Sequence, residues 1–408
     1  MSHFYGLLGR KLKHSFSPEI HKFFYDEPYD LFEIEPENLD EFMKSADFKG
    51  INVTIPYKKD VIPYCHSLSE TAKKIGCVNT IIRLKDGTLL GDNTDYYGFS
   101  YMVKKGGVSV QGKKAIILGS GGASLTVRHV LDDLGAGEIV VISRSGENNY
   151  QNLSRHFDAQ IIVNTTPVGM FPNNGAVPID ISQFKKAEIV LDIIYNPSKT
   201  KLILNAEKCG IKAVNGLSML VAQAKKSAEL FCGKTFDDSV IDKIQTAIER
   251  KTKNIILIGM PGCGKTTIGK ALSVFLNRKF LDTDNLIEVN TVKTVPDIIK
   301  TEGEAAFRKI ETEILKEVSK QSGKIIATGG GIVTVSENID LLKQNSIVFF
   351  LDRPLDELEV KGRPLSEKNS VETLYQTRIG LYEAVCDEKI HVHGVKETAA
   401  EIKERFYS

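Results

Sequence analysis

The chain contains a glycine-rich run, Gly259-Met-Pro-Gly-Cys-Gly-Lys-Thr266, between the apolar stretch Asn254–Ile258 and a helix-like pattern at Thr267–Asn277. Strand, glycine loop and helix in this order form a cradle for phosphate. Glycines let backbone N–H groups point inward, and the helix N-terminus adds positive potential. The run therefore predicts a nucleoside-triphosphate site in an α/β domain. A glycine turn with a solvated Lys265 is the alternative.

This run and the next strand carry the groups that phosphoryl transfer needs. Lys265 neutralises charge on the β- and γ-phosphates, and the Thr266 hydroxyl can reach Mg²⁺. Asp282 ends the next strand and is placed to support the metal, directly or through water. Asp284 is placed to bind the acceptor hydroxyl and take its proton. The predicted contacts of the loop with ATP are Gly259, Gly262, Gly264, Lys265, Thr266 and Thr267.

The composition is that of an ordinary soluble protein with two or three domains. The 408 residues are 42% hydrophobic and have a net charge of +1. This balance argues against nucleic acid as a partner, and no apolar run reaches the length that spans a membrane. The six cysteines are scattered and read as reduced thiols, so we expect a cytoplasmic protein. The oligomeric state stays open.

Strand and helix patterns alternate along the chain, which predicts an α/β fold with parallel sheets. The charged segment Glu249–Lys253 is the predicted boundary between two halves, and helical patterns precede it at 217–231 and 238–250. Strands are predicted in the first half at 4–9, 48–55, 113–119, 138–143, 160–166 and 188–195. Strands are predicted in the second half at 254–259, 279–282, 324–328, 346–352 and 389–393.

A second glycine turn follows the predicted strand at 113–119 and opens a helix, as a pyrophosphate-binding turn requires. A loop that binds NAD is followed, about twenty residues later, by an Asp or Glu for the ribose 2′-hydroxyl. Here the next strand instead ends beside Arg144, which would meet a 2′-phosphate. NADP is therefore favoured, and a plain surface charge is the alternative. The predicted NADP contacts are Gly119, Gly121, Gly122, Ala123, Ser143, Arg144 and Ser145.

Short polar side chains recur at strand ends in the first half. Ser17, followed by Pro18, is predicted to cap a helix whose free N–H groups, with Ser15, form a carboxylate site. Simple capping without a ligand is the alternative, and the serines alone favour it. An ammonium group of Lys58 held against Asp95 can polarise a ketone and deliver a proton during hydride reduction. The concentration of such groups predicts a pocket for a polyol. Further members are Asn52, Thr54, Asn79, Thr80, Asn93 and Thr94.

Residues 1 to about 245 resemble the shikimate dehydrogenase family, whose motifs occur here in the family's order. The motifs are His14–Pro18, Asn52–Lys58, Gly76–Thr80, Asn93–Phe99, Gly119–Ser124, Asn164–Met170, Asp192–Pro197 and Gly216–Gln223. The resemblance departs at Lys11, Lys22 and Ser218, where Pro, Asn and Gly are common. None of these departures removes a proposed functional group.

The resemblance implies a role for each matching residue. Lys58 and Asp95 would be the catalytic pair, and Arg144 would select NADP. The substrate contacts implied are Ser15 and Ser17 for the carboxylate, and Thr54, Asn79, Asp95 and Gln223 for the hydroxyls. The implied domains are a substrate domain at 1–100 plus about 216–250 and a Rossmann-like NADP domain at 101–215.

Residues 254 to about 408 resemble shikimate kinase, which implies a P-loop domain like that of nucleoside monophosphate kinases. The motifs that carry this resemblance are the phosphate loop, Asp282-x-Asp284, Phe307-Arg308, Gly329–Gly331, Arg363–Leu365 and Arg378-x-x-x-Tyr382. The implied shikimate contacts are Asp284, Arg308, Gly330 and Arg378, with Arg363 as the lid arginine that approaches the transferring phosphoryl group. The stretch 352–362 is shorter than usual, and no counterpart of the arginine that stacks on adenine is found.

Together the resemblances imply a bifunctional enzyme of the shikimate pathway, which leads to chorismate and the aromatic amino acids. Reduction of 3-dehydroshikimate would create a hydroxyl, and the kinase would phosphorylate that same hydroxyl. Two other hypotheses for the first half stay open. The first half could be a quinate/shikimate dehydrogenase of broader specificity, or a non-catalytic sensor that regulates the kinase.

Overall fold

The computed structural model describes residues 4–12, 15–358 and 371–408. The chain forms two compact units. The first comprises Met1–Tyr195 and Leu202–Ile248, and the second comprises Asn196–Lys201 and Glu249–Ser408. Among the described residues, no helix is both long enough and apolar enough to cross a membrane.

The first unit contains a mixed six-stranded sheet with the order β2-β1-β3-β5-β6-β4. Its strands are β1 (Phe4–Gly9), β2 (Tyr29–Glu33), β3 (Phe48–Val53), β4 (Ser67–Leu68), β5 (Thr80–Arg83) and β6 (Leu89–Asp92). The pairs β3–β5 and β5–β6 are antiparallel, and the other pairs are parallel. The predicted parallel pairing therefore holds for three pairs of this sheet, and β5 runs antiparallel to both of its neighbours. The short connection from β5 to β6 suits a hairpin, whereas parallel neighbours need a long crossover.

The second sheet of this unit is wholly parallel, with the order β11-β10-β9-β7-β8. Its strands are β7 (Lys114–Leu118), β8 (Glu138–Ile142), β9 (Ile161–Asn164), β10 (Ile189–Asp192) and β11 (Lys212–Asn215). The three central strands are apolar and buried nearly throughout, as expected where helices cover both faces. The helices of this half are α1 (Ser17–His21), α2 (Leu39–Ser45), α3 (Glu70–Ile75), α4 (Asp95–Gly106), α5 (Gly122–Asp133), α6 (Lys201–Lys208), α7 (Leu217–Cys232) and α8 (Ser239–Thr252).

The second unit contains a parallel five-stranded sheet with the order β13-β14-β12-β15-β16. Its strands are β12 (Asn254–Ile258), β13 (Phe280–Asp282), β14 (Ile325–Ala327), β15 (Ser346–Asp352) and β16 (Glu388–His391). The described helices are α9 (Lys265–Leu276), α10 (Thr283–Thr291), α11 (Val295–Glu302), α12 (Glu304–Ser319), α13 (Ser336–Lys343), α14 (Val371–Val385) and α15 (Val395–Tyr407). All five strands predicted for this half occur, with only small differences at their ends.

The start of α1 differs from the prediction. The residue before the helix is Phe16, whose side chain makes no capping hydrogen bond, and Ser17 is the first helical residue. The prediction of Ser17 as cap is wrong because the Phe16 carbonyl accepts the N–H of Ile20, so the helix begins one residue earlier. The Ser17 N–H donates to the hydroxyl of Ser15 at 3.2 Å. The two hydroxyl oxygens lie 3.1 Å apart, so they remain side by side at the start of the helix.

A histidine buried in the first unit makes its stability depend on pH. His21 is 0% exposed, its Nδ1 lies 2.7 Å from the Tyr25 hydroxyl, and its ring stacks on Tyr29 at 4.1 Å. Its Nε2 has no hydrogen-bond partner among the described residues. Burial lowers the pKa of His21 to about 3. The folded state therefore resists a proton that the unfolded chain accepts.

We predict that the first unit loses stability as the pH falls from about 6.5 towards 3. In this range the unfolded state binds a proton at His21 that the folded state does not, so unfolding becomes easier by ~1.4 kcal/mol per pH unit. Urea unfolding followed by circular dichroism between about pH 7 and 5 measures this slope. His21→Phe should flatten it, and His129→Phe, which replaces a less buried histidine, should leave it unchanged. An equal slope in the wild type and His21→Phe would contradict the prediction.

Candidate active sites

An ion pair joins two polar residues of the first unit that the sequence predicts to be catalytic. Lys58 follows β3, Asp95 is the first residue of α4, and Lys58 Nζ lies 2.5 Å from Asp95 Oδ2. The two side chains are 17% and 10% exposed. The loop before Lys58 is anchored by Tyr57, a buried ring whose hydroxyl donates to the carbonyl of Ile34. The pair is therefore held in place and still open to a ligand.

The electrostatics of the pair favour a charged lysine. Burial lowers the pKa of Lys58, but the charge of Asp95 and its hydrogen bond, together with Cys77, outweigh burial and raise the pKa above its usual value. The Cys77 thiol is 0% exposed, and burial raises its pKa. Lys58 therefore carries a proton at neutral pH that it can donate to a developing alkoxide.

The glycine turn after β7 approaches this ion pair. A Cβ added to Gly122 would lie 3.6 Å from Cys77 Sγ and 3.8 Å from Lys58 Cδ. Gly119 has φ of 105°, a conformation that side chains rarely adopt, and space around Gly121 is open. The turn leads into α5, whose first residue is Gly122. An open turn at a helix N-terminus fits the pyrophosphate of a dinucleotide, and Ala123 lies in the first turn of that helix.

The predicted 2′-phosphate contacts lie at the same edge of the second sheet. Strand β8 is the neighbour of β7 and ends at Ile142, directly before Ser143. Arg144 and Ser145 are exposed there, and Ser143 forms a bridge with Asn149. An exposed guanidinium at the end of the neighbouring strand suits a phosphate on the ribose.

The other predicted substrate residues surround the ion pair unevenly. Asn79 is buried, and its Oδ1 accepts the backbone N–H of Thr94 at 2.7 Å, directly before Asp95. A Cβ on Gly98, one helical turn after Asp95, would lie 2.9 Å from Gln223 Cβ, so Gln223 faces the start of α4. Thr54, Ser15 and Ser17 lie beyond the ends of β1 and β3. Among the described residues, no hydrogen bond or ion pair joins them directly to Lys58 or Asp95.

The phosphate loop of the second unit lies between β12 and α9, as predicted. Gly264 has φ of 99°, which permits the turn into the helix. Lys265 is 8% exposed, and its Nζ donates to the carbonyl oxygens of Gly259 and Met260, each at 2.9 Å. The lysine thus spans the loop, where a phosphate would meet its ammonium group. Gly262 also has positive φ, of 88°, and Thr267 is exposed.

Asp282 links this loop to the start of α10. The Thr266 hydroxyl donates to Asp282 Oδ2 at 2.7 Å. The other oxygen, Oδ1, caps α10 by accepting the N–H groups of Asp284 at 3.1 Å and Asn285 at 3.4 Å. A hydroxyl and a carboxylate in contact are hard oxygen donors, and this pair fits Mg²⁺.

A pocket of charged side chains surrounds the triple glycine after β14. A Cβ on Gly329 would clash with Glu311 Oε1 and lie 2.9 Å from Asp284 Oδ1, so the two carboxylates converge there. Arg308 fills the space beside Gly331.

The middle glycine of the three is fixed through its carbonyl. Gly330 O accepts hydrogen bonds from Arg378 Nη1 at 3.4 Å and from the Tyr382 hydroxyl. The structure therefore brings together all four predicted acceptor contacts. Arg363 lies outside the described residues.

Burial and like charge raise the proton affinity of the two carboxyl groups. Burial, with Glu311 and Asp282 as further causes, raises the pKa of Asp284 to about 6. Burial also raises the pKa of Glu311, against the opposing charge of Arg308 at 2.7 Å. Asp284 Oδ1 and Glu311 Oε1 have no hydrogen-bond partner among the described residues. Two such oxygens in one pocket suit a ligand that carries hydroxyl groups.

Sequence reasoning missed Glu311, which is 0% exposed and paired with Arg308 one helical turn away. Glu311 follows Arg308 by three residues on a helix, and this spacing could have indicated an ion pair with the predicted substrate arginine. Cys77 was also missed as a neighbour of Lys58, because nothing in the sequence places it against the glycine turn.

Comparisons with known proteins find a match for each half of the chain. A family model described as shikimate dehydrogenase substrate binding domain matches residues 7–81, and one described as shikimate kinase matches residues 261–407. The shikimate dehydrogenase (NADP(+)) of Clostridium perfringens is 40% identical over 261 residues, which cover 59% of this chain and 96% of that protein.

Solved structures extend the likeness to the fold. A chorismate mutase/shikimate 5-dehydrogenase fusion protein from Clostridium acetobutylicum has a TM-score of 0.57 at 38% identity, covering 61% of this chain and 98% of that one. Shikimate 5-dehydrogenase from Thermus thermophilus, in complex with NADP(H) and shikimate, has a TM-score of 0.54 at 28% identity, covering 60% and 99%. The chain therefore belongs to the shikimate dehydrogenase family in its N-terminal part and continues into a shikimate kinase domain.

Proposed function

We propose that this chain catalyses two consecutive steps, the NADPH-dependent reduction of 3-dehydroshikimate to shikimate and the ATP-dependent phosphorylation of shikimate. The observation that carries the proposal is that, in each unit, side chains suited to proton transfer lie close to a glycine-rich loop that suits a nucleotide. Lys58 and Asp95 lie against a glycine turn that suits a dinucleotide. Asp284 lies in a charged pocket whose neighbour Asp282 contacts the phosphate loop.

In the reduction, the dinucleotide supplies the hydride and the chain supplies the proton. Lys58 Nζ donates to the ketone oxygen and passes it a proton as negative charge develops, while Asp95 keeps the ammonium group oriented. Asn79 and Gln223 flank Asp95 and bind ring hydroxyls in this proposal. Ser15 and Ser17 bind the carboxylate, and Thr54 completes the hydroxyl contacts.

In the phosphorylation, ATP would supply the phosphoryl group. Thr266 and Asp282 would hold Mg²⁺, which would balance the charge of the phosphates. Asp284 accepts the proton of the attacking hydroxyl. Arg308 and Arg378 bind the carboxylate of the acceptor, since guanidinium groups match a carboxylate in two hydrogen bonds. The same assignment gives Arg363 contact with the transferring group.

We further propose domain limits and keep two alternatives distinct. The substrate domain would span 1–100 and about 216–250, the NADP domain 101–215 and the kinase domain 254–408. A dehydrogenase of broader specificity would turn over quinate with NAD as well as shikimate with NADP. A non-catalytic sensor would not oxidise NADPH steadily, and the Lys58–Asp95 ion pair weighs against it.

The proposal predicts shikimate 3-phosphate when the chain is given 3-dehydroshikimate, NADPH and ATP–Mg²⁺, with products identified by mass.

Lys58→Met should lower the reduction rate by a factor of roughly 10²–10⁴ and leave phosphorylation of added shikimate intact. Lys265→Met should do the reverse. The controls Lys59→Met and Lys270→Met alter exposed neighbouring lysines and should change neither rate. Normal reduction by Lys58→Met would refute the assignment.

Arg144 should decide the choice of dinucleotide. Its guanidinium group would bind the 2′-phosphate, so Arg144→Ala should raise KM for NADPH about tenfold or more and leave KM for NADH unchanged. Steady-state kinetics with both dinucleotides measure this difference. Arg155→Ala, at another exposed arginine of the same segment, is the control. A parallel change in both KM values would count against the contact.

The kinase should lose activity in acid because its proton acceptor becomes protonated. Asp284 has a pKa of about 6, raised by burial, so kcat/KM for shikimate should be steady above about pH 7 and fall about tenfold per pH unit below about 6. Asp284→Asn should abolish turnover at every pH while ATP still binds. A flat kcat/KM between about pH 7 and 5 in the wild type would exclude Asp284 as the acceptor.

A further inference from the structure

A buried cluster of polar side chains lies beneath the substrate residues of the first unit. The hydroxyl oxygens of Thr80, Thr94 and Ser227 form a triangle with sides of 3.0, 3.0 and 3.1 Å. The amide of Asn52 joins it, with Nδ2 2.7 Å from Ser227 Oγ and 3.0 Å from Thr80 Oγ1. All four side chains are at most 4% exposed. The mechanism described so far uses none of them.

Each member of the triangle is adjacent to a proposed substrate contact. Thr80 follows Asn79 at the start of β5. Thr94 precedes Asp95, donates its backbone N–H to Asn79 Oδ1, and accepts from Asn79 Nδ2 at 3.1 Å. Ser227 lies on α7 one turn after Gln223, and its hydroxyl donates to the Gln223 carbonyl at 3.0 Å. The triangle thus joins the backbones that carry these three contacts.

Ser227 contributes both a donor and an acceptor. Its hydroxyl donates to the Gln223 carbonyl, and its oxygen accepts from Asn52 Nδ2, which leaves one lone pair for a threonine hydroxyl of the triangle. Tyr29 donates to Asn52 Oδ1 at 2.8 Å, which fixes the amide with Nδ2 facing Ser227. Without the serine oxygen, Asn52 would lose the nearer of its hydroxyl acceptors in a site closed to solvent. Buried polar groups then rearrange to find partners.

We propose that Ser227 is a positioning residue of the dehydrogenase, which holds Gln223, Asn79 and Asp95 in one geometry through the hydroxyl triangle. The inference rests on the proposed reduction of 3-dehydroshikimate. Ser227 touches no substrate in this proposal. It acts by fixing α7 against β3, β5 and the start of α4. These elements are far from α7 in the sequence.

The test compares Ser227→Ala and Ser227→Cys in the full-length chain. Both should raise KM for 3-dehydroshikimate roughly ten- to a hundredfold, because small displacements of binding groups are costly, with a smaller fall in kcat. KM for NADPH and the phosphorylation of added shikimate should not change. The cysteine variant leaves no cavity, because sulfur is larger than oxygen, and its thiol is a weak hydrogen-bond partner. It therefore reports on bonding even if the alanine variant folds poorly.

The matched control is Ser100→Ala on α4. Ser100 makes the same kind of bond, donating to the carbonyl four residues before it, Tyr96 O, at 2.7 Å. KM should stay unchanged in this control. Unchanged KM in both Ser227 variants would overturn the inference alone, as would a joint rise in the KM values of 3-dehydroshikimate and NADPH. Absence of reduction by the wild-type chain would overturn the proposed function together with the inference.

Discussion

Both active sites depend on one constraint, that parallel strands deliver their carboxyl ends to a single edge of a sheet. In the second unit this edge gathers the phosphate loop after β12, Asp282 at the end of β13 and the triple glycine after β14. In the first unit it gathers the glycine turn after β7 and Ser143 after β8. The residues of each group are far apart in the sequence, and the order of the strands in the sheet brings them close together.

The two sites pair their buried charges differently. Lys58 and Asp95 carry opposite charges, so the attraction of Asp95 outweighs the cost of burial and keeps the lysine protonated. Asp284 and Glu311 carry like charges around Gly329, and burial makes each reluctant to ionise. A protonated lysine suits proton donation to an alkoxide, and a carboxyl group with raised pKa suits proton acceptance from an alcohol.

Much of the second unit could be predicted from the sequence because its signals are local. Each of its strands is a short apolar run followed by a turn or a motif, and all five occur. The first unit was harder, since β2, β4, β5, β6 and β11 are short and were not predicted. The triangle of Thr80, Thr94 and Ser227 was beyond reach, because Ser227 and Thr80 are 147 residues apart. The prediction of Ser17 as cap failed because the helix begins one residue earlier, with Phe16 at the cap position.

The two carboxylate oxygens of Asp282 have different partners. Oδ2 accepts from Thr266 in the phosphate loop, whereas Oδ1 holds the first turn of α10, which carries Asp284. A cation held at Oδ2 would leave the cap on α10 in place. The position of Asp284 would then not depend on whether nucleotide is bound. This separation of tasks within one side chain is compatible with a kinase that takes up its two ligands in either order.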